Sequence, residues 1–217
     1  MSRACPLPRR QAGFTLIEVL LATVLLAGGL TLAFATVRSA MAVSSRGEAM
    51  AERSERVRAV EGFLRQRLAG ALPLAIEADP ATLQVQRFLG EPQRMRFVAD
   101  VPDYLGRGGP YVHELTLSGS PGRQRLQLQL TMLQAGQTIE EARPLPAETL
   151  ADDLREVHLR YRGLDPRSGE LGPWVEQWED PGTLPLLVSV AIRAADGSAW
   201  PTLVVALPQA GNVGARS

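Results

Sequence analysis

From Phe14 to Val37 the chain reads FTLIEVLLATVLLAGGLTLAFATV, 24 residues with a single charge, Glu18. As a helix this run spans about 36 Å at 1.5 Å per residue. The hydrocarbon core of a bilayer is about 30 Å thick, so the run is long enough to cross it with modest tilt. The leader before it, MSRACPLPRRQAG, holds Arg3, Arg9 and Arg10 and no acid. A secretory signal peptide is cut beyond its apolar part. Here the best place for a cut, Gly13–Phe14, lies in front of it. Cys5 has no apolar segment before it and does not read as a lipid-bearing cysteine. Arg38, Arg46, Arg53 and Arg56 follow the run closely, so positive charge marks orientation only weakly.

Glu18 needs a physical reason. A carboxylate costs about 2.5–3.5 kcal/mol at mid-membrane and less near an end. One reading is that Glu18, five positions into the segment, snorkels to the headgroups. The other is that it meets a positive partner. Cutting between Gly13 and Phe14 creates one, the α-amino group of Phe14, about one helical turn away in the same chain and open to Glu18 of a shifted neighbour. Such a pair favours assembly, because either charge alone is expensive in a low dielectric.

The string Gly13-Phe14-Thr15-Leu16-Ile17-Glu18 resembles the type IV prepilin leader motif at every position. That motif is shared by type IV pilins and type II secretion pseudopilins. The resemblance implies that a prepilin peptidase cuts after Gly13. It implies that Phe14 becomes the N-methylated first residue and that Glu18 takes part in filament packing. Many major pilins carry a proline inside the apolar helix. This segment has none, and Gly28-Gly29 is its only weak point.

Residues 38–72 lack proline, and Met50, Val57, Val60, Leu64 and Leu68 form one stripe of an amphipathic helix. Arg46, Glu48, Glu52, Arg53, Glu55, Arg56 and Arg65 lie opposite, and their mixed signs describe a solvated face and not a nucleic-acid surface. Pro73 is expected to close a helix running from Phe14 to Leu72, about 88 Å if unbroken. Beyond it the period falls to two, over 82–88, 94–98, 111–117, 124–131, 157–162, 187–193 and 202–207. Stretches such as LGRGGP, SGSPGR and LDPRSGELGP separate these runs. The expectation is an α+β chain in which a long N-terminal helix, transmembrane in its first half, packs on an antiparallel β-sheet domain. The segments are a leader over 1–13, a transmembrane helix over 14–37 and its amphipathic continuation over 38–72. A β-rich head over 73–208 and a tail over 209–217 follow.

The second half narrows the resemblance. Leu159-Arg160-Tyr161, then Trp174 and Trp178, then Leu184-Pro185 entering Leu186-Leu187-Val188-Ser189-Val190, are similar to the J-type minor pseudopilins of type II secretion. The resemblance implies a type IV pilin-like fold. It implies an inner-membrane, single-pass protein with its C-terminal domain in the periplasm. The partners it implies are the I-, K- and H-type minor pseudopilins, the major pseudopilin, the prepilin peptidase, the inner-membrane assembly platform and membrane lipid. No nucleic-acid partner is expected. The function it implies is membership of a pseudopilus tip that helps export folded proteins across the outer membrane. A minor type IV pilin of the PilW kind is the alternative, and a membrane-anchored periplasmic enzyme the remote one.

Catalytic chemistry finds little material. All 23 basic residues are arginine, which removes P-loop and Schiff-base lysines. Removing 1–13 takes away Cys5 and three of those arginines, leaving 20 against 23 acids, a formal net of −3 and no thiol. His113 and His158 are too few for a histidine-based metal centre, and no cofactor is expected. Asp152-Asp153 and Glu140-Glu141, read as acid pairs near turns, offer oxygen ligands for calcium but lack EF-hand spacing. Asp165-x-x-Ser168-Gly169-Glu170 reads as a hairpin turn. Trp174 and Trp178 suit either stacking on a partner or anchoring a long loop.

Overall fold

The computed structural model describes residues 13–78, 85–102, 108–134, 137–139, 146–165 and 167–209. The leader up to residue 12, Cys5, the acids Glu140 and Glu141 and the tail from residue 210 lie outside them. The chain divides into two compact units, Met1–Glu55 and Arg56–Ser217.

One helix, α1, covers Leu16–Ala69. It ends three residues earlier than Pro73 implied. Gly70 N–H donates to Gln66 O at 3.1 Å, and the next two residues already belong to the sheet. In the first unit α1 is exposed on every side, Met50 included, so the expected stripe starts only at Val57. In the second unit Val60, Leu64 and Leu68 are buried at successive spacings of four. Each such side chain contributes roughly 1.5–3 kcal/mol by leaving water.

The strands are β1 (Ala71–Leu72), β2 (Glu77–Ala78), β3 (Val85–Gln86), β4 (Leu89–Gly90), β5 (Arg94–Val101), β6 (Gly109–Ser120), β7 (Arg123–Gln134), β8 (Gln137–Thr138), β9 (Glu148–Arg162), β10 (Leu187–Ala194) and β11 (Leu203–Ala206). Among the described residues the main sheet runs β1-β5-β6-β7-β9-β10-β11, with β4 on β5 and β8 on β7, and its pairings are antiparallel. Alternation sorts its side chains by face. Met95, Phe97 and Ala99 join the α1 leucines in the larger core cluster, whereas Val98 faces the smaller one with Ile76, Val112 and Leu133.

Asp152 and Asp153 do not lie at a turn. They sit inside β9, where pairing with β7 shifts register around Leu126 and Asp153 takes φ 49°. An Asp side chain tolerates this left-handed conformation, and the bulge turns both acids outward. Asp165 does initiate a turn. Its Oδ1 accepts from Arg167 N at 2.7 Å, and its N–H donates to Glu170 O at 2.8 Å.

Trp178 anchors the long 163–186 connection. Its N–H donates to Gly90 O at 2.8 Å and its Nε1 to Thr183 O at 3.0 Å. Two glycines make room for it. A β-carbon on Gly90 would lie 2.8 Å from Tyr161 Cζ and 2.9 Å from Trp178 Cβ, and one on Gly163 would overlap the Trp178 ring. Gly163→Ala should therefore lower stability by about 1–3 kcal/mol and red-shift the tryptophan emission. The same change in a Trp178→Ala background should cost much less. Equal losses in both backgrounds would refute the packing account.

Candidate assembly site

Gly13, Phe14 and Thr15 precede α1, so the helix begins two residues later than the sequence implied. Thr15 O accepts from Glu18 N at 3.1 Å and from Val19 N at 3.3 Å. Glu18 thus occupies the first turn, where the unsatisfied N–H groups and the helix dipole favour a carboxylate. Thr15-Leu16-Ile17-Glu18 also has the spacing of a capping box. This local role for Glu18 was readable from Thr15 but is masked by the apolar run around it.

The structure therefore places Gly13, Phe14 and Glu18 together at one end of a helix whose flanking side chains are all exposed. Phe14 is 82% exposed, and Leu16, Ile17, Val19, Leu20 and Leu21 are each more than half exposed. A helix apolar on every side is stable only in lipid or among other apolar helices. By length and composition, the first part of α1 meets the requirement for crossing a membrane.

The other candidates disperse. His158 is exposed on β9, 3.9 Å from Glu156. His113 is fully buried on β6, stacked on Phe97 at 5.3 Å between ring centroids. Its Nδ1 lies 3.0 Å from Tyr111 O, and because a carbonyl only accepts, Nδ1 carries the proton. Burial pulls this imidazole down to about 4, with Arg67 adding to the effect and the Tyr111 hydrogen bond opposing it. Burial likewise pushes the Tyr161 phenol above its ordinary value, and its hydroxyl donates to Glu91 O at 2.9 Å. Trp174 lies under the Arg162 guanidinium, 5.7 Å from ring centroid to Cζ. Among the described residues no three His, Cys, Asp or Glu side chains converge on a metal-sized site.

A family model described as the prokaryotic N-terminal methylation motif matches residues 8–34. A curated relative, type II secretion system protein J of Xanthomonas campestris pv. campestris, is 63% identical over 206 residues, covering 95% of this chain and 97% of the relative. The chain belongs to the type II secretion system protein J family. That identity spans the α1 helix and the sheet domain alike, so the secretion reading holds over the minor type IV pilin reading. A solved structure is also similar, a chain from the GspK-GspI-GspJ complex of the enterotoxigenic Escherichia coli type 2 secretion system. It has a TM-score of 0.48 and 16% identity, covering 71% of this chain and 98% of that one. The α+β architecture expected of a J-type pseudopilin, a long N-terminal helix and an antiparallel sheet, is the one observed.

Proposed function

We propose that this chain is a minor pseudopilin that works by assembly and carries out no catalysis of its own. The observation that carries the reading is the 63% identity to a type II secretion system protein J across nearly the whole of both chains. Prepilin peptidase cuts between Gly13 and Phe14, Phe14 is N-methylated, and Glu18 pairs with the new amine of a neighbour. Residues 14–37 cross the inner membrane, 38–69 continue the helix, and the head, which begins with β1 at Ala71 and runs to 208, stands in the periplasm ahead of the tail over 209–217. The head joins the I-, K- and H-type minor pseudopilins at the tip of a short filament, with the major pseudopilin and the inner-membrane assembly platform as further partners. The exposed apolar first part of α1 supports the membrane and filament-core placement. The lack of lysine supports the non-catalytic reading by removing lysine-based nucleophiles.

Co-purification of the full-length chain from membranes tests this. The expected result is a stable complex with the I- and K-type heads that survives detergent extraction. Capture of minor type IV pilins with no I- or K-type partner would overturn it.

A further inference from the structure

The second unit contains a cavity of about 530 Å³, within the size range of small-molecule sites. Its walls are mostly apolar: Phe63 of α1, Val101 of β5, Leu128 and Leu130 of β7, and Pro146 ahead of β9. Arg67 of α1 also lines it, and that residue is only 7% exposed. Its NH1 donates to Asp100 O at 2.8 Å, and its guanidinium lies 5.3 Å from the Phe63 ring centroid. Among the described residues no carboxylate lies within ion-pair distance of it.

This combination is unusual. A buried charge is costly unless it is paired. A guanidinium has five donors in a fixed fork, and the Asp100 carbonyl and the Phe63 ring face engage it among the described residues. The fork matches a carboxylate, which it can bind through two parallel hydrogen bonds. Of the remaining walls, Glu148 and Thr149 alone carry polar side chains. Glu148 lines the same cavity and is exposed, so its repulsion of a monocarboxylate is screened by solvent and a ligand of higher negative charge is disfavoured more.

We propose that this cavity binds a linear amphipathic monocarboxylate, with its carboxylate on Arg67 and its tail along Phe63, Leu128 and Leu130. The site lies outside the leader and the membrane-spanning run, so it is independent of the assembly reading above.

The test uses the full-length chain in nanodiscs of zwitterionic lipid, with empty nanodiscs as the reference. The probe is decanoate labelled with ¹³C at the carboxyl, followed by NMR at neutral pH, with decanol as its uncharged counterpart. Saturable binding to the protein is expected, and Arg67→Gln should weaken it at least tenfold. Decanol should compete at least tenfold less well than unlabelled decanoate. Ala147→Trp fills the cavity and leaves Arg67 in place, so it should remove saturable binding while keeping the wild-type melting temperature. It carries the test if Arg67→Gln does not fold. No saturable signal with the wild-type chain overturns the proposal. So does equal binding by Arg67→Gln or by Ala147→Trp, or decanol competing as well as decanoate.

Discussion

Acidification from pH 6.5 to pH 4 is expected to cost the head about 3 kcal/mol through one side chain, His113. The ring is fully buried, it stacks on Phe97, and its Nε2 has no hydrogen-bond partner. Its imidazole is pulled from 6.5 down to about 4 in the fold, chiefly by burial. The sign follows from proton counting. Between those two values the unfolded chain binds the proton and the folded chain does not, so stability falls as the pH falls. Each pH unit across that window is worth about 1.4 kcal/mol. Arg67 faces the ring from α1 and opposes protonation further.

His113→Phe keeps an aromatic partner for Phe97 and removes the titration. Denaturant unfolding of both proteins at pH 7 and pH 4 separates this effect from the carboxylates, which titrate alike in both. The gap between wild type and variant should move by about 3 kcal/mol in favour of the variant at pH 4. Parallel pH profiles would refute the assignment.

The parts of this fold that sequence reveals are those where one periodicity runs uninterrupted. α1 is legible because an apolar run and then a stripe at Val57, Val60, Leu64 and Leu68 both fit a helix. β6, β7 and β10 are legible because their sequences alternate over seven or eight residues, at 111–117, 124–131 and 187–193. β9 is legible only in its second half. Ala151, Leu154 and Val157 are buried at spacings of three, and only then do Leu159 and Tyr161 follow at two. The bulge around Asp153 shifts the phase of the strand, which makes its first half read as a turn flanked by acids. β1, β2, β3, β4 and β8 have two residues each, too few to show any period.

Site residues divide in the same way. Gly13, Phe14 and Glu18 fall within six consecutive residues, so their juxtaposition is local and readable. Arg67 was hidden by its type, since an arginine on a charged helix is ordinarily assigned to water. Its position gave the better signal. With Val60, Leu64 and Leu68 it falls at i+7 of the buried stripe, on the face that packs against the sheet. The fit of Trp178 against Gly90 and Gly163 joins residues 88 and 15 positions apart, and no local pattern encodes such a contact.

Glu18→Ala and Gly13→Val are expected to fail at different steps. Gly13→Val puts a branched side chain at the residue before the cut, so the precursor should stay at full length and unmethylated. Glu18→Ala leaves the cut site intact and should mature at the wild-type rate. Its failure comes later, because the Phe14 amine of a neighbour then has no carboxylate to meet in a low-dielectric filament core. An unpaired charge in that setting costs about 2.5–3.5 kcal/mol, so incorporation should fall roughly a hundredfold. Glu18→Gln separates the two roles that the structure and the resemblance give this residue. Glutamine preserves the capping-box pattern begun at Thr15 and the start of α1, but it carries no charge. If pairing is the function, Glu18→Gln should assemble as poorly as Glu18→Ala while its N-terminal mass shows normal cutting and methylation. Normal crosslinking to neighbours and normal export with Glu18→Gln would assign Glu18 to capping the helix instead.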